Sequence, residues 1–324
     1  MGKSDLPKYR LGIDLGGTKI YAVVIDRKGR VLGKSRRPTR ADLGYRKILA
    51  RVDDSAREAA DDAGISFKAI ETIGLGVPGP VNSDEGVVVV APNLGWRGLP
   101  VARDAARLFK RPVVLGNDVN FGGLGEVAYG AARKATSAFA AFVGTGLGGA
   151  LVLDGAIVNG AHGFAGELGH VPAPFGAARC GCGRLGCLET VASKTGIARL
   201  IAGYRKAGMR CLLTSEGGRL RSSDLLRAWQ AGCPATRKAV GESARALGWG
   251  LAVVSMSFDP EVFVLGGGVM EALPRQALPL VRKSLIEHSL LYRRRKPDLR
   301  LAELGDEAGA IGAAVASTGT AMDG

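Results

Sequence analysis

Tyr9-Arg10-Leu11-Gly12-Ile13-Asp14-Leu15-Gly16-Gly17-Thr18-Lys19 runs directly into the apolar stretch Ile20 to Ile25. Apolar residues crowd both flanks at strand density, and the Gly16-Gly17 pair supplies a turn between them. The aspartate therefore stands at a strand end beside bare backbone. Glycines let N–H groups approach phosphate oxygens, while Thr18 and Lys19 add donors and charge. The spacing is neither that of a P-loop nor that of a dinucleotide fingerprint. Alone, the segment is a hairpin. Two further glycine turns at strand ends, Gly144-Thr145-Gly146-Leu147-Gly148-Gly149 and Gly266-Gly267-Gly268, turn the reading toward a clamped nucleotide.

Outward from this hairpin the chain alternates strand and helix. A third strand is predicted over 30–36, and a helix over 44–63 with Ile48, Leu49, Val52, Ala56, Ala59 and Ala60 on one face and Gly64 at its end. Strands at 70–77 and 111–115 bracket helical residues 100–110. Later come a strand over 138–143, another over 150–153, a long helix near 235–257, a buried strand over 262–265 and a helix near 272–288. The strand–glycine turn–strand unit at 10–25 recurs at 138–153. That duplication predicts two similar α/β lobes with an active-site cleft between them. The lobes are expected over 1–118 and 119–305, with a hinge rather than a tether near 118–135 and a C-terminal helix, about 306–324, packing back on the first lobe.

With 324 residues and 46% hydrophobic content the chain can bury substantial cores, which excludes disordered and collagen-like classes. The 49 glycines, without a period and with only 14 prolines, point to tight turns and close ligand approach. Aromatics at 6% argue against stacking platforms for single-stranded nucleic acid. The net charge of +14 is scattered; its only dense run, Arg293-Arg294-Arg295-Lys296, reads as a solvated turn. No apolar stretch approaches a membrane span, and the polar start Met1–Lys8 lacks a signal-peptide core. A cytoplasmic protein with neither nucleic-acid nor membrane partners is expected, assembled as a dimer or tetramer of identical chains.

Cys180, Cys182 and Cys187, with His170 ten residues upstream, offer one imidazole and three thiolates. That is the ligand set of a closed, structural zinc site, although the spacing departs from finger patterns and free buried thiols remain the alternative. Cys211 and Cys233 read as isolated, ordinary residues. Asp118 follows the apolar run Val113 to Gly116 and opens a helical segment. It could cap that helix or, at a strand's carboxyl end, serve as a base.

Seven segments, in order, resemble the ROK family within the sugar kinase/Hsp70/actin ATPase superfamily, and its bacterial glucokinase branch in particular. They are Asp14–Lys19, Gly76-Val77-Pro78-Gly79-Pro80, Ala91-Pro92-Asn93-Leu94-Gly95-Trp96, Gly116-Asn117-Asp118-Val119-Asn120, Gly144–Gly149, Glu167-Leu168-Gly169-His170 and Cys180 to Glu189. The resemblance implies actin-like (RNase H-like) lobes and ATP-dependent phosphorylation of the glucose 6-hydroxyl. It makes Asp118 the general base and gathers Asn93, Asn117, Glu167, His170, Glu189 and Gly79 with Asp118 around the sugar. It assigns Asp14, Gly16, Gly17, Thr18, Lys19, Thr145, Gly146, Gly267 and Gly268 to the nucleotide, with Mg²⁺ on Asp14. It also assigns zinc to His170, Cys180, Cys182 and Cys187. Other hexoses (mannose, fructose, N-acetylmannosamine) and polyphosphate as donor stay open. A sugar-sensing repressor is disfavoured, because only 13 residues precede Asp14 where such proteins carry a DNA-binding module.

Overall fold

The computed structural model describes residues 7–176, 178–213 and 220–318; Met1–Leu6 of the polar N-terminus and residues 319–324 of the expected C-terminal helix lie outside them. β1 (Tyr9–Leu15) and β2 (Lys19–Asp26) form the hairpin. There follow β3 (Val31–Pro38), α1 (Tyr45–Asp62), β4 (Thr72–Val77), β5 (Val81–Asn82), β6 (Val87–Ala91) and β7 (Trp96–Leu99). Next come α2 (Val101–Phe109), β8 (Val113–Asn117), α3 (Asp118–Ala128), β9 (Ser137–Val143), β10 (Leu147–Leu153) and β11 (Ala156–Ile157). The rest comprises α4 (Lys194–Lys206), α5 (Ser222–Gln230), α6 (Pro234–Phe258), β12 (Val262–Gly266), α7 (Gly268–Ala272), α8 (Pro274–His288), β13 (Leu299–Leu301) and α9 (Ala308–Ala316). The helix expected near 272–288 is α8, which Pro274 starts at its first turn, where a missing N–H costs nothing; the short α7 precedes it.

One sheet runs β3-β2-β1-β4-β8 and another β11-β10-β9-β12-β13. Counted in chain order within each sheet, both run third, second, first, fourth, fifth, so the duplicated hairpin extends to a duplicated topology. A separate three-stranded sheet, β5-β6-β7, has no counterpart in the sequence reading.

The chain divides into two compact units, residues 1–138, 150–166 and 303–324 in one, 139–149 and 167–302 in the other. Residues 119–138, expected in the second lobe, fall in the first unit, and with them α3. It is held in the first unit by α9, with Gly312 so close that a Cβ there would stand 1.6 Å from the Phe121 carbonyl oxygen. In β1, Leu11 and Ile13 join the core that includes Ile48, Val52 and Ala56 of α1. Gly12 points the other way, where a Cβ would lie 1.8 Å from Ala310 O of α9. The sheet is therefore covered on both faces, which explains the unbroken burial of β2 from Ile20 to Ile25. Buried Glu126 of α3 fixes the entry to α9 by accepting the N–H groups of Ala131, Glu303 and Leu304 at 2.8, 3.1 and 2.9 Å.

In the second unit, α6 packs along α8, and the Ser284 hydroxyl donates to Arg245 O at 2.7 Å. Cys211 and Cys233 are not isolated as expected: their sulfurs are 3.9 Å apart. Among the described residues no helix is long and apolar enough to cross a membrane.

Candidate active site

Strand register builds the first cluster. β1, β4 and β8 are parallel, and Asp14 pairs with Gly76, which pairs with Gly116. Asn117 ends β8 and Asp118 begins α3, one and two residues beyond that row. The cap is Asn117, not Asp118: its Oδ1 accepts the N–H groups of Val119 and Asn120 at 2.9 and 3.0 Å, and its Nδ2 donates to Gly79 O at 3.1 Å. Its oxygen is thus committed, which leaves one amide hydrogen for a ligand. Asp118 accepts the Val119 N–H at 2.9 Å through Oδ1. Gly79 serves by conformation: its φ is +87°, and a Cβ would lie 2.2 Å from Val90 O.

Asp14 is hemmed in by the start of α9, where a Cβ on Gly309 would lie 3.0 Å from its Cγ. Burial first, and the Asp118 carboxylate second, push its pKa up to about 7 against the opposing pull of Lys19, with Asp306 adding to the rise. Two carboxylates that resist joint ionisation are a receptor for a proton or a cation. The Gly16 N–H closes the hairpin turn on Lys19 O at 2.9 Å, so that amide is spent on the turn rather than open to phosphate. Gly17 lies against Asn93, its would-be Cβ 3.0 Å from Asn93 Cβ, while Thr18 and Asn93 are exposed. Lys19 Nζ sits 2.5 Å from Asp306 Oδ1. Asp306 went unread in sequence because nothing local marks it; only the return of the chain to the first unit brings it to the hairpin.

The second unit holds the remaining candidates. Cys180 N–H donates to Arg184 O at 2.8 Å, Gly183 N–H to Cys180 O at 3.0 Å, and Pro172 bridges Cys187. This tight loop brings His170, Cys180, Cys182 and Cys187 together, with all four ligand atoms within 4.8 Å of one another. His170 Nδ1 is 3.6 Å from Cys180 Sγ, and Cys182 Sγ is 3.6 Å from Cys187 Sγ. Ligand atoms around a tetrahedral ion with bonds of about 2.0–2.3 Å stand roughly 3.3–3.8 Å apart, so the set fits zinc. Burial pushes the Cys180 thiol up to about 12, the state a coordinated dication would reverse. His170 turns its other nitrogen, Nε2, toward Glu167 Oε2 at 3.9 Å. Burial raises the Glu167 pKa, opposed by His170 and reinforced by Glu189.

Glu189 connects this loop to the second glycine turn. Its Oε2 accepts the Leu147 N–H at 2.9 Å, and its Oε1 lies 3.5 Å from Cys180 Sγ. Thr145 O accepts from the Thr195 hydroxyl at 2.8 Å, which anchors the turn at the start of α4. The third turn places Gly267 against Val143 O and Gly268 near the Ser222 hydroxyl, would-be Cβ distances of 2.7 and 3.0 Å.

The ROK family model matches residues 10–318, and the chain belongs to that family. It is 34% identical to a glucokinase of Halalkalibacterium halodurans over 94% of this chain and 93% of that protein. The structure of a ROK family glucokinase from Streptomyces griseus in complex with glucose and AMPPNP superposes with a TM-score of 0.81 at 31% identity, covering 96% of this chain and all of that one. The fold is accordingly that of the actin-like ATPases. A xylose repressor of Caldicellulosiruptor bescii is 32% identical over 79% of this chain but only 65% of its own length.

Proposed function

We propose that this protein transfers the γ-phosphoryl group of ATP to the 6-hydroxyl of glucose. The observation that carries the reading is Asp118, held at the first turn of α3 by the Asn117 cap and close enough to Asp14 to raise the Asp14 pKa. Asp118 takes the hydroxyl proton as the oxygen attacks in line. Asn93, the remaining amide hydrogen of Asn117, Glu167, His170 Nε2 and Glu189 recognise hydroxyls that both donate and accept, and Gly79 shapes their backing. Gly17, Thr18, Lys19, Thr145, Gly146, Gly267 and Gly268 receive the nucleotide, with Gly16 holding the turn. Mg²⁺ would be held by Asp14, directly or through water, and would neutralise charge on the phosphates. Zinc would be held by His170, Cys180, Cys182 and Cys187 and would fix the loop that carries Glu167 and Glu189. An assembly of two or four identical chains in the cytoplasm completes the reading.

A coupled assay of ADP release over a panel of glucose, mannose, fructose and N-acetylmannosamine, with ATP or polyphosphate, tests it. Glucose with ATP should give the highest kcat/KM. The likeness to a xylose repressor favours a second, sugar-sensing reading; a chain that binds glucose and leaves ATP unspent would follow that one.

A further inference from the structure

Cys233 precedes Pro234 at the start of α6 and is fully buried, whereas Cys211 is half-exposed. The segment carrying Cys211 is laid across this helix end by two contacts. Ala235 N–H donates to Arg210 O at 3.4 Å, and Leu212 N–H donates to Cys233 Sγ at 3.2 Å. The Thr236 hydroxyl also reaches Cys233 Sγ at 3.2 Å. Two donors aimed at one sulfur make an acceptor environment suited to a thiolate, as at reactive thiols on helix starts. Burial opposes ionisation of Cys233, but these hydrogen bonds outweigh it and bring its pKa below the ordinary value, whereas burial raises that of Cys211. The sulfurs stand 3.9 Å apart and need to close by about 2 Å to bond, a movement within reach of side-chain rotation.

We propose that Cys211 and Cys233 form a reversible dithiol–disulfide site, oxidised by low-molecular-weight disulfides, outside the machinery assigned to phosphoryl transfer. Cys211, the accessible sulfur, attacks a disulfide RSSR; a Cys211–SR bond forms, the S–S bond of the reagent breaks, and RS⁻ leaves to take a proton. The Cys233 thiolate then attacks Cys211 Sγ, forming the protein disulfide and expelling the second RS⁻, which is likewise protonated. Two protein thiols are oxidised and one RSSR is reduced to two RSH. The bridge would enclose α5 in a closed loop of the chain.

Oxidised glutathione is the probe, applied to the whole protein with peptide mapping to separate this pair from Cys180, Cys182 and Cys187. Wild-type protein should yield a Cys211–Cys233 cross-linked peptide, reversed by dithiothreitol, with little glutathione retained on Cys211. The Cys233→Ser variant should instead accumulate glutathione on Cys211, at least tenfold above wild type. A stable Cys211 adduct in the wild type, or no cross-linked peptide at any glutathione ratio, overturns the proposal. The wild-type arm decides alone should the variant fail to fold.

Discussion

Glu189 accepts the backbone N–H of Leu147 at 2.9 Å, and a methyl group on Gly146 would stand 2.2 Å from the same carboxylate oxygen. The glycine turn and the cysteine loop thus share one side chain. Gly146→Ala should displace Glu189 at small cost in stability, since the obstructing atom ends a flexible side chain. A displaced Glu189 would lose its hydrogen bond to a sugar hydroxyl, worth about 1.5–3 kcal/mol, so kcat/KM for glucose should fall roughly 10- to 150-fold. Steady-state kinetics beside a melting curve check both halves, and unchanged kcat/KM would release Glu189 from any role at the sugar.

Asp118 and Asn117 divide two tasks that their adjacency confuses. Asp118→Asn should lower kcat by roughly 10²–10⁴-fold with little change in stability, because Asn117 does the capping. Asn117→Ala should destabilise the fold by about 0.5–2 kcal/mol, read as a lower urea midpoint. If Asp118→Ala cost more stability than Asn117→Ala, the division would be reversed.

Asp14 carries a pH signature opposite to that of a salt-bridged carboxylate. Its pKa rises from 3.8 unfolded to about 7 folded, so the folded chain binds the extra proton between those values. Stability of the ligand-free protein should therefore fall as pH rises from about 4 to 7 and level off above. Asp14→Asn should remove that slope, leaving the variant more stable than wild type at pH 8 and level with it near pH 4. Urea midpoints against pH measure this; parallel curves for the two proteins would refute it. The same variant should lose Mg·ATP use more than glucose binding.

Zinc removal should act as the loss of a clamp. Elemental analysis should find about one zinc per chain, as one four-ligand set requires. Cys182→Ser should lower zinc content, thermal stability and glucose affinity together, with nucleotide affinity changed far less. Fully active, metal-free protein would sink the assignment.

Much of this was legible in the chain. The β1–β2 hairpin announces itself because buried apolar runs flank a glycine pair, and residue chemistry alone groups the His170, Cys180, Cys182 and Cys187 side chains that the fold brings together. That Asn117 rather than Asp118 caps α3 was not, because both side chains cap helices well and only dihedral angles decide. The three-stranded sheet escaped notice because β5 spans two residues amid turn formers. Lys19 with Asp306, and Cys211 with Cys233, meet through tertiary folding that no local pattern encodes. The packing of α3 against α9 was hidden for the same reason: α9 lies far along the chain.

That distant partnership bears on how the protein is made. All five strands of the first sheet are complete once Asn117 is joined, yet α9, which covers the Gly12 face, is translated only after the whole second unit. A chain ending before α9 would lack the cover over Gly12 and should be prone to mispairing with neighbouring chains.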